Sequence, residues 1–468
     1  MAMLRFYNSL TRSMDDFRPL REGRVGYYTC GPTVHDFAHI GNFRTFAWED
    51  LLRRHLEYRG FEVLHVMNIT DVEDKIIRKA AEAGVGIEEW TRRYTEAFFE
   101  DARALGIKPA HHYPRATEHI AEMLDLVRRL EEKGHTYPSD GSVYYRIASF
   151  EGYGALAGLD REKLVVGARV DADEYEKDDP ADFVLWKGAR PGEPEWDSPW
   201  GAGRPGWHLE CSAMALKYLG ESFDIHAGGV DLKFPHHENE IAQSEGATGR
   251  RFVNYWLHGA HLLADEEKMS KSLGNFHTLR QLLERGHDPR ALRYLLIGTH
   301  YRKTLNFTFE ALDQARSELE RVDALRRRLR TEVAGKAGGL LRAERLSQTR
   351  EAFAAALDDD LNISGALGEV FRLVRELNSA IDRGELGVED ADAVEALLVE
   401  LDQVVGALVS EGGEEAVPED VQELARRREE ARRARDWAAA DRLRDEITAR
   451  GYLIDDTPQG TRLQRRRD

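Results

Sequence analysis

Between residues 24 and 67 the chain spells out a strand, a punctuated loop, a helix and a second strand. Val25, Tyr27, Tyr28 and Cys30 suit extended backbone, so residues 24–30 (RVGYYTC) read as a short strand. Phe43, Phe46, Ala47, Leu51, Leu52 and Leu56 then recur at helical spacing, and Gly60 marks a stop. Residues 61–67 (FEVLHVM) form the next strand. A helix between two strands supplies the long crossover that a parallel pair needs. The expected class is therefore α/β, with a Rossmann-like parallel sheet.

The rest of the chain divides around that unit. Helical patterns fill residues 72–105. Residues 134–205 are Pro- and Gly-rich and acidic, with short strands such as 142–147, and read as an insertion between two halves of the sheet domain. Strand and helix signals resume over residues 207–245. Beyond residue 288 the composition turns to Ala, Leu, Glu and Arg with helical periodicity, which predicts a helical bundle. Residues 335–339 and 411–418 read as linkers, and the stretch from residue 419 as a helix pair ending in an Arg-rich tail. A chain of 468 residues exceeds one ordinary core. The expected domains are 1–302 (insertion about 126–205, motif loop 268–272), 303–410 and 411–468.

Bulk properties narrow the class. With 42% hydrophobic and 32% charged residues, the chain suits a globular fold rather than a disordered one. No apolar run reaches a bilayer span and the N-terminus lacks a signal-like stretch, so no membrane and a cytoplasmic location are expected. A net charge of -18 disfavours a small non-specific nucleic-acid binder, but leaves room for a large enzyme with one RNA-facing side. Two cysteines, Cys30 and Cys211, make no disulfide framework.

Two segments carry phosphate chemistry. The loop 30–42 (CGPTVHDFAHIGN) lies between strand and helix, where backbone N–H groups and a helix N-terminus meet an anion. Gly31, Thr33, His35 and Gly41 are the expected nucleotide contacts there: His35, like His39, can donate to phosphate, and Gly41 lets the ligand approach the backbone. Residues 268–272 (KMSKS) add Lys268 and Lys271, with two serines, suited to gripping a polyphosphate. Either segment alone is commonly ordinary surface. Together, an HIGN helix start and a KMSKS loop resemble the paired signatures of class I aminoacyl-tRNA synthetases. Asn42 in place of a second His resembles the cysteinyl branch, and His35 stands where a Tyr is common. The resemblance covers essentially the whole chain. It implies that His39, Asn42, Lys268 and Lys271 stabilise the charge that builds on ATP during adenylate formation, with Mg2+ accompanying ATP.

A second constellation concerns metal. His236 and Glu240 lie four residues apart in PHHENE, a spacing that lets two ligands meet one ion on a helix face. Both cysteines are competent zinc ligands, and by spacing His237 and Glu238 rival His236 and Glu240. The resemblance to cysteinyl-tRNA synthetases implies one Zn2+ on Cys30, Cys211, His236 and Glu240. It also implies Thr70, Trp207 and His226 as cysteine-pocket residues, against a plain packing role for each. A steric pocket separates cysteine from serine by only ~1–3 kcal/mol, whereas zinc selects the thiolate.

The implied function is cysteinyl-tRNA synthesis: cysteine is activated with ATP and passed to tRNA(Cys). The helical C-terminal half then binds the anticodon, with Arg clusters at 326–328, 426–428 and 465–467 available for phosphate and Trp437 packed in the core. A monomer is expected. Three alternatives stand beside this: a cysteine ligase acting on an amino-sugar thiol precursor, a nucleotidyltransferase sharing only the first motif, and an inactive RNA-binding paralogue.

Overall fold

The computed structural model describes residues 3–159, 182–269, 275–333, 336, 343–410, 418–457 and 460–465. The chain forms two compact units: Met1–Leu282 with Asp288–Leu408, and Leu283–His287 with Val409–Asp468. Ser270, Lys271 and Ser272, most of both expected linkers, and Arg466 and Arg467 lie outside the described residues.

The larger unit opens with a hairpin, β1 (Arg5–Asn8) and β2 (Ser13–Asp16), and then enters the sheet at β3 (Arg24–Thr29). Helix α1 (Ile40–Tyr58) and β4 (Glu62–Met67) complete the expected strand–helix–strand unit. Gly60, at φ 89°, turns the chain from α1 into β4. The helical stretch that follows is two helices, α2 (Asp74–Ala83) and α3 (Ile87–Ala104). The break falls at Gly84, whose left-handed φ of 69° ends α2. Helix α4 (Ile120–Glu132) leads into an antiparallel sheet of β5 (Thr136–Ser139), β6 (Ser142–Tyr145), β7 (Phe183–Gly188) and β8 (Gly203–Pro205).

The chain then returns to the parallel sheet through α5 (Trp207–Leu219), β9 (Phe223–Gly229), α6 (His236–Thr248) and β10 (Val253–Gly259). The strand order is β10-β9-β3-β4, every pair parallel. From β3 the chain first winds outward to β4, then returns to lay β9 on the other side of β3. Beyond the carboxyl ends of β3 and β9 the connections diverge, and such a switch point is where open α/β sheets hold ligands. Cys30 follows β3 directly, and His226 lies in β9.

Beyond β10 come the short strands β11 (Leu262–Ala264) and β12 (Glu267–Lys268), then α7 (Leu279–Glu284), α8 (Pro289–Gly298) and β13 (Leu305–Phe307), which pairs parallel with β11. The bundle helices are α9 (Phe309–Glu332), α10 (Ala343–Asp358), α11 (Ile363–Asp382) and α12 (Val388–Val405). Arg326 is committed to Glu395, and Arg328 to Glu332 and Asp382, so both hold bundle helices together.

The smaller unit contains α13 (Glu419–Arg433) and α14 (Trp437–Ala449), as the periodicity predicts. Between the helix pair and the expected Arg-rich tail, most of which lies outside the described residues, the chain forms an antiparallel hairpin, β14 (Tyr452–Thr457) with β15 (Gly460–Arg465). Alternating residues such as Tyr452 and Ile454 give its strands an apolar face that packs on Val421, Leu424 and Ile447. Trp437, read as a packing residue, is 59% exposed at the start of α14. Among the described residues no helix is long and apolar enough to cross a membrane.

Candidate active site and metal centre

The loop after β3 is held by backbone pairing. Thr33 bridges Thr70, with Thr70 N donating to Pro32 O at 3.1 Å and Val34 N donating to Thr70 O at 3.2 Å. Gly31 N donates to Asn68 Oδ1 at 2.9 Å, and a Cβ on Gly31 would fall 1.7 Å from Asn68 O. Only glycine fits there. Thr70 is therefore built into the same ledge as the signature loop.

His39 caps α1. Its Nδ1 accepts from Asn42 N at 3.2 Å, and Asn42 Oδ1 accepts from His39 N at 3.1 Å. This reciprocal pair is a capping box written with His and Asn. An accepting Nδ1 puts the ring proton on Nε2, which leaves that N–H as the donor. Burial, with His35 beside it, lowers His39 to about 4 and keeps the ring neutral. His35 turns its own Nδ1 toward Thr33 O at 3.0 Å.

The second signature meets the first at this helix start. Ile40 N donates to His277 O at 3.0 Å, His39 bridges Thr278, and the Phe276 ring stands edge-on to His39 at 5.3 Å. A Cβ on Gly41 would come within 2.8 Å of Met269 Cε. The residues flanking 270–274 thus lie directly on the HIGN turn. Lys271 is outside the described residues, and for Lys268 only the backbone is described.

The metal candidates converge at the switch point. Cys30 Sγ lies 3.9 Å from Cys211 Sγ and 3.9 Å from Glu240 Oε1, and Glu240 Oε1 lies 3.0 Å from His236 Nε2. All four residues are buried, and their donor atoms fall within 4.8 Å of one another. Tetrahedral bonds of about 2.3 Å to two sulfurs would place those sulfurs about 3.8 Å apart, so the cysteine spacing already suits an ion. Three acidic groups share this dry space, and the ion-pair partners of Glu240 are histidines. Burial alone would raise Glu240, yet His226 and His236 hold it down at about 2. A hydrogen bond from Cys30 brings Cys211 down to about 6, while burial pushes Cys30 up, so the two sulfurs share one proton. A dication would replace such shared protons, and the donor set fits one.

The surrounding histidines orient these groups. His208 and His236 are linked Nδ1 to Nδ1 at 2.8 Å, and the Trp207 ring covers His236 at 4.4 Å. Trp207 therefore packs on a candidate ligand. His226 Nε2 holds Glu240 Oε2 at 2.9 Å. His237 reaches Cys30 Sγ at 3.4 Å through Nε2 and His258 Nε2 at 2.8 Å through Nδ1. A second donor set, Cys30, His226, His237 and Glu240, thus overlaps the first. Glu238 belongs to neither set: its carboxylate accepts from Gly154 N and Ala157 N, both at 2.8 Å, and so ties α6 to the loop before residue 160. His208 and His258 were not singled out by sequence reasoning. They stand outside the metal-spacing motif, and only the fold brings them near.

Residues 16–317 match the family of tRNA synthetases class I (C) catalytic domain, residues 352–409 the DALR domain, and residues 414–466 the cysteinyl-tRNA ligase anticodon binding domain. The chain is 50% identical over 465 residues to a cysteine–tRNA ligase of Solibacter usitatus, covering 99% of this chain and 100% of that one. It is 48% identical over 471 residues to that of Protochlamydia amoebophila, covering 99% and 98%. Solved structures share the fold at low identity. A Mycobacterium tuberculosis methionyl-tRNA synthetase matches with TM-score 0.59 at 15% identity, over 82% of this chain and 92% of that one. A leucyl-tRNA synthetase complex from Agrobacterium radiobacter K84 matches with TM-score 0.60 at 12% identity, over 84% and 85%. With likeness to curated cysteine–tRNA ligases over nearly its full length, and with the catalytic and anticodon-binding segments in one order along it, the chain belongs to the cysteine–tRNA ligase family of class I tRNA synthetases.

Proposed function

We propose that this protein joins L-cysteine to tRNA(Cys) in two steps at the carboxyl end of the parallel sheet. The observation that carries the reading is the buried Cys30–Cys211–His236–Glu240 cluster beside the capped HIGN turn. In the first step the cysteine carboxylate attacks the α-phosphate of ATP, and pyrophosphate leaves. Asn42 and the Nε2–H of neutral His39 donate to the phosphates, and the Lys268 and Lys271 ammonium groups balance the charge that builds there, with Mg2+ accompanying ATP. Gly31, Thr33, His35 and Gly41 shape the nucleotide ledge. In the second step the terminal ribose 2′-OH of the tRNA takes the cysteinyl group and AMP leaves.

Cys30, Cys211, His236 and Glu240 would hold one Zn2+. Bound there, zinc favours a thiolate over a serine hydroxyl and so supplies the discrimination that packing cannot. Thr70, Trp207 and His226 position the amino acid. Residues 414–466 match an anticodon-binding domain, which favours tRNA over an amino-sugar acceptor.

ATP–pyrophosphate exchange tests this with cysteine, serine or no amino acid, on native and zinc-stripped protein. Exchange that needs cysteine, ignores serine and collapses without zinc is expected. Intact, zinc-loaded protein that shows no cysteine-dependent exchange would overturn the reading and favour an inactive RNA-binding paralogue.

A further inference from the structure

Two residues belong to both donor sets, and each faces one set on either side. Glu240 directs Oε1 at His236 Nε2, 3.0 Å away, and Oε2 at His226 Nε2, 2.9 Å away. Cys30 Sγ stands 3.9 Å from Cys211 Sγ and 3.4 Å from His237 Nε2. His226 and His237 are fully buried, with ring centroids 4.3 Å apart. The His258 contact on His237 Nδ1 leaves Nε2 facing the sulfur. This is the donor layout of a bridged pair of ions. One carboxylate spans it with an oxygen to each side and one thiolate lies between. Each side adds two ligands of its own: Cys211 and His236 on one, His226 and His237 on the other.

We infer that the chain holds a second metal position, formed by His226 and His237 with Cys30 and Glu240 as bridges, which accepts a second divalent ion of borderline softness such as zinc or cobalt(II). It rests on the reading of Cys30, Cys211, His236 and Glu240 as ligands of the resident ion. Imidazole, thiolate and carboxylate together suit such ions. Paired metal sites hold their ions about 3.5–4 Å apart, a distance that a carboxylate spans. Charge does not oppose the second ion. With both cysteines and Glu240 ionised, one dication leaves the cluster negative by one, and two leave it positive by one. The first position has two thiolates and fills first. The second shares its one thiolate and adds neutral imidazoles, so it binds more weakly.

Cobalt(II), exchanged into the full-length protein by dialysis under reducing conditions, tests the inference through bound-metal analysis and electron paramagnetic resonance. One tight equivalent with a high-spin signal is expected, then a weaker second. As the second binds, the signal of the first declines, because ions that share a thiolate and a carboxylate couple magnetically. His237→Asn and His226→Asn are each expected to stop at one equivalent with an uncoupled signal, and the wild-type coupling stands as a readout even where a variant folds poorly. Wild-type protein that saturates at one equivalent overturns the second position and leaves the resident site standing. A second equivalent whose signal simply adds to the first also overturns it and marks an adventitious ion only. The lack of any tight equivalent removes the underlying reading, and the inference with it.

Discussion

His39 shows two duties resting on one side chain. Its Nδ1 caps α1, and that bond is what commits Nε2–H to the ligand side. Asparagine is a good N-cap, so His39→Asn separates the duties: it can keep the cap while losing the Nε2 donor. We expect pyrophosphate exchange to fall about a hundredfold, the scale of losing one transition-state donor, with little change in melting temperature. His39→Ala should lose a similar rate and about 1 kcal/mol of stability as well. A His39→Asn enzyme with wild-type exchange would remove His39 from the transition state. The lowered pKa adds a sign. The ring is neutral at every pH above about 4, so His39 should leave no step in the exchange rate between pH 5 and 8. At this scale the sequence was informative wherever chemistry follows residue type. Cys30, Cys211, His236 and Glu240, the set that the family resemblance implies, meet in space, and His237 joins an overlapping set with Cys30 and Glu240. The capping role was not legible, because histidine is an uncommon cap and its Nδ1 bond depends on local backbone geometry. Nor could spacing part Glu238 from Glu240: both are buried on the helix, and only the chain packed against each tells them apart.

At the scale of elements, α6 is the piece around which the site is organised. From His236 to Ser244 every residue of it is buried, polar ones included, so its polar groups must be satisfied from neighbouring segments. Glu238 takes two N–H groups from the loop 154–157, the Tyr153 hydroxyl donates to Asn239 Oδ1 at 2.5 Å, and the Tyr145 hydroxyl donates to Ala242 O at 2.9 Å. The insertion thus grips the helix that carries two candidate metal ligands. Removing the grip should loosen the ligands without touching them. Glu238→Ala is expected to lower zinc affinity by about 10- to 100-fold, as loss of an orienting partner does. Glu238→Gln keeps an acceptor and should recover part of that. Competition with a chromophoric chelator reads both, and equal affinities in all three proteins would reduce Glu238 to a packing role. The sequence suggested an insertion from its composition but not what it grips, since Gly- and Pro-rich segments carry no periodic face to match against a partner. The C-terminal hairpin escaped for a different reason: its strands are short, and Asp455, Asp456, Arg462 and Arg465 interrupt the apolar alternation of Tyr452, Ile454 and Leu463.

Over the larger unit, α1 is shared between the catalytic sheet and the bundle. Its first turn carries His39 and Asn42. Two turns on, Asp50 is buried, accepts from Arg54 Nε at 2.7 Å and Lys108 N at 2.9 Å, and forms an ion pair with Arg293 Nη2 at 2.6 Å. Arg293, also buried, donates onward to Val405 O at 2.8 Å and Leu105 O at 3.2 Å. One carboxylate thereby ties α1, α8, the end of α12 and the loop after α3 to a common point. Burial alone would raise Asp50, but Arg293 and then Arg54 hold it below the usual carboxylate range, so the network stays charged at neutral pH. Its contribution is present above the ordinary carboxylate pKa and is lost as pH falls through the lowered one. A buried pair of this kind is poor evidence for net stability, yet breaking it from one side is costly, because the remaining charge cannot leave. Asp50→Asn should therefore destabilise the protein by about 3–5 kcal/mol in urea unfolding, since it strands the Arg293 guanidinium. The double variant Asp50→Leu with Arg293→Met should cost less than Asp50→Asn alone, because it removes both charges from the interior. If the double variant is as unstable as the sum of its parts, the two side chains act independently and the common anchor of α1 lies elsewhere. If it recovers stability but charges tRNA more slowly, the ion pair serves to hold the HIGN turn in register with the bundle rather than to hold the fold together.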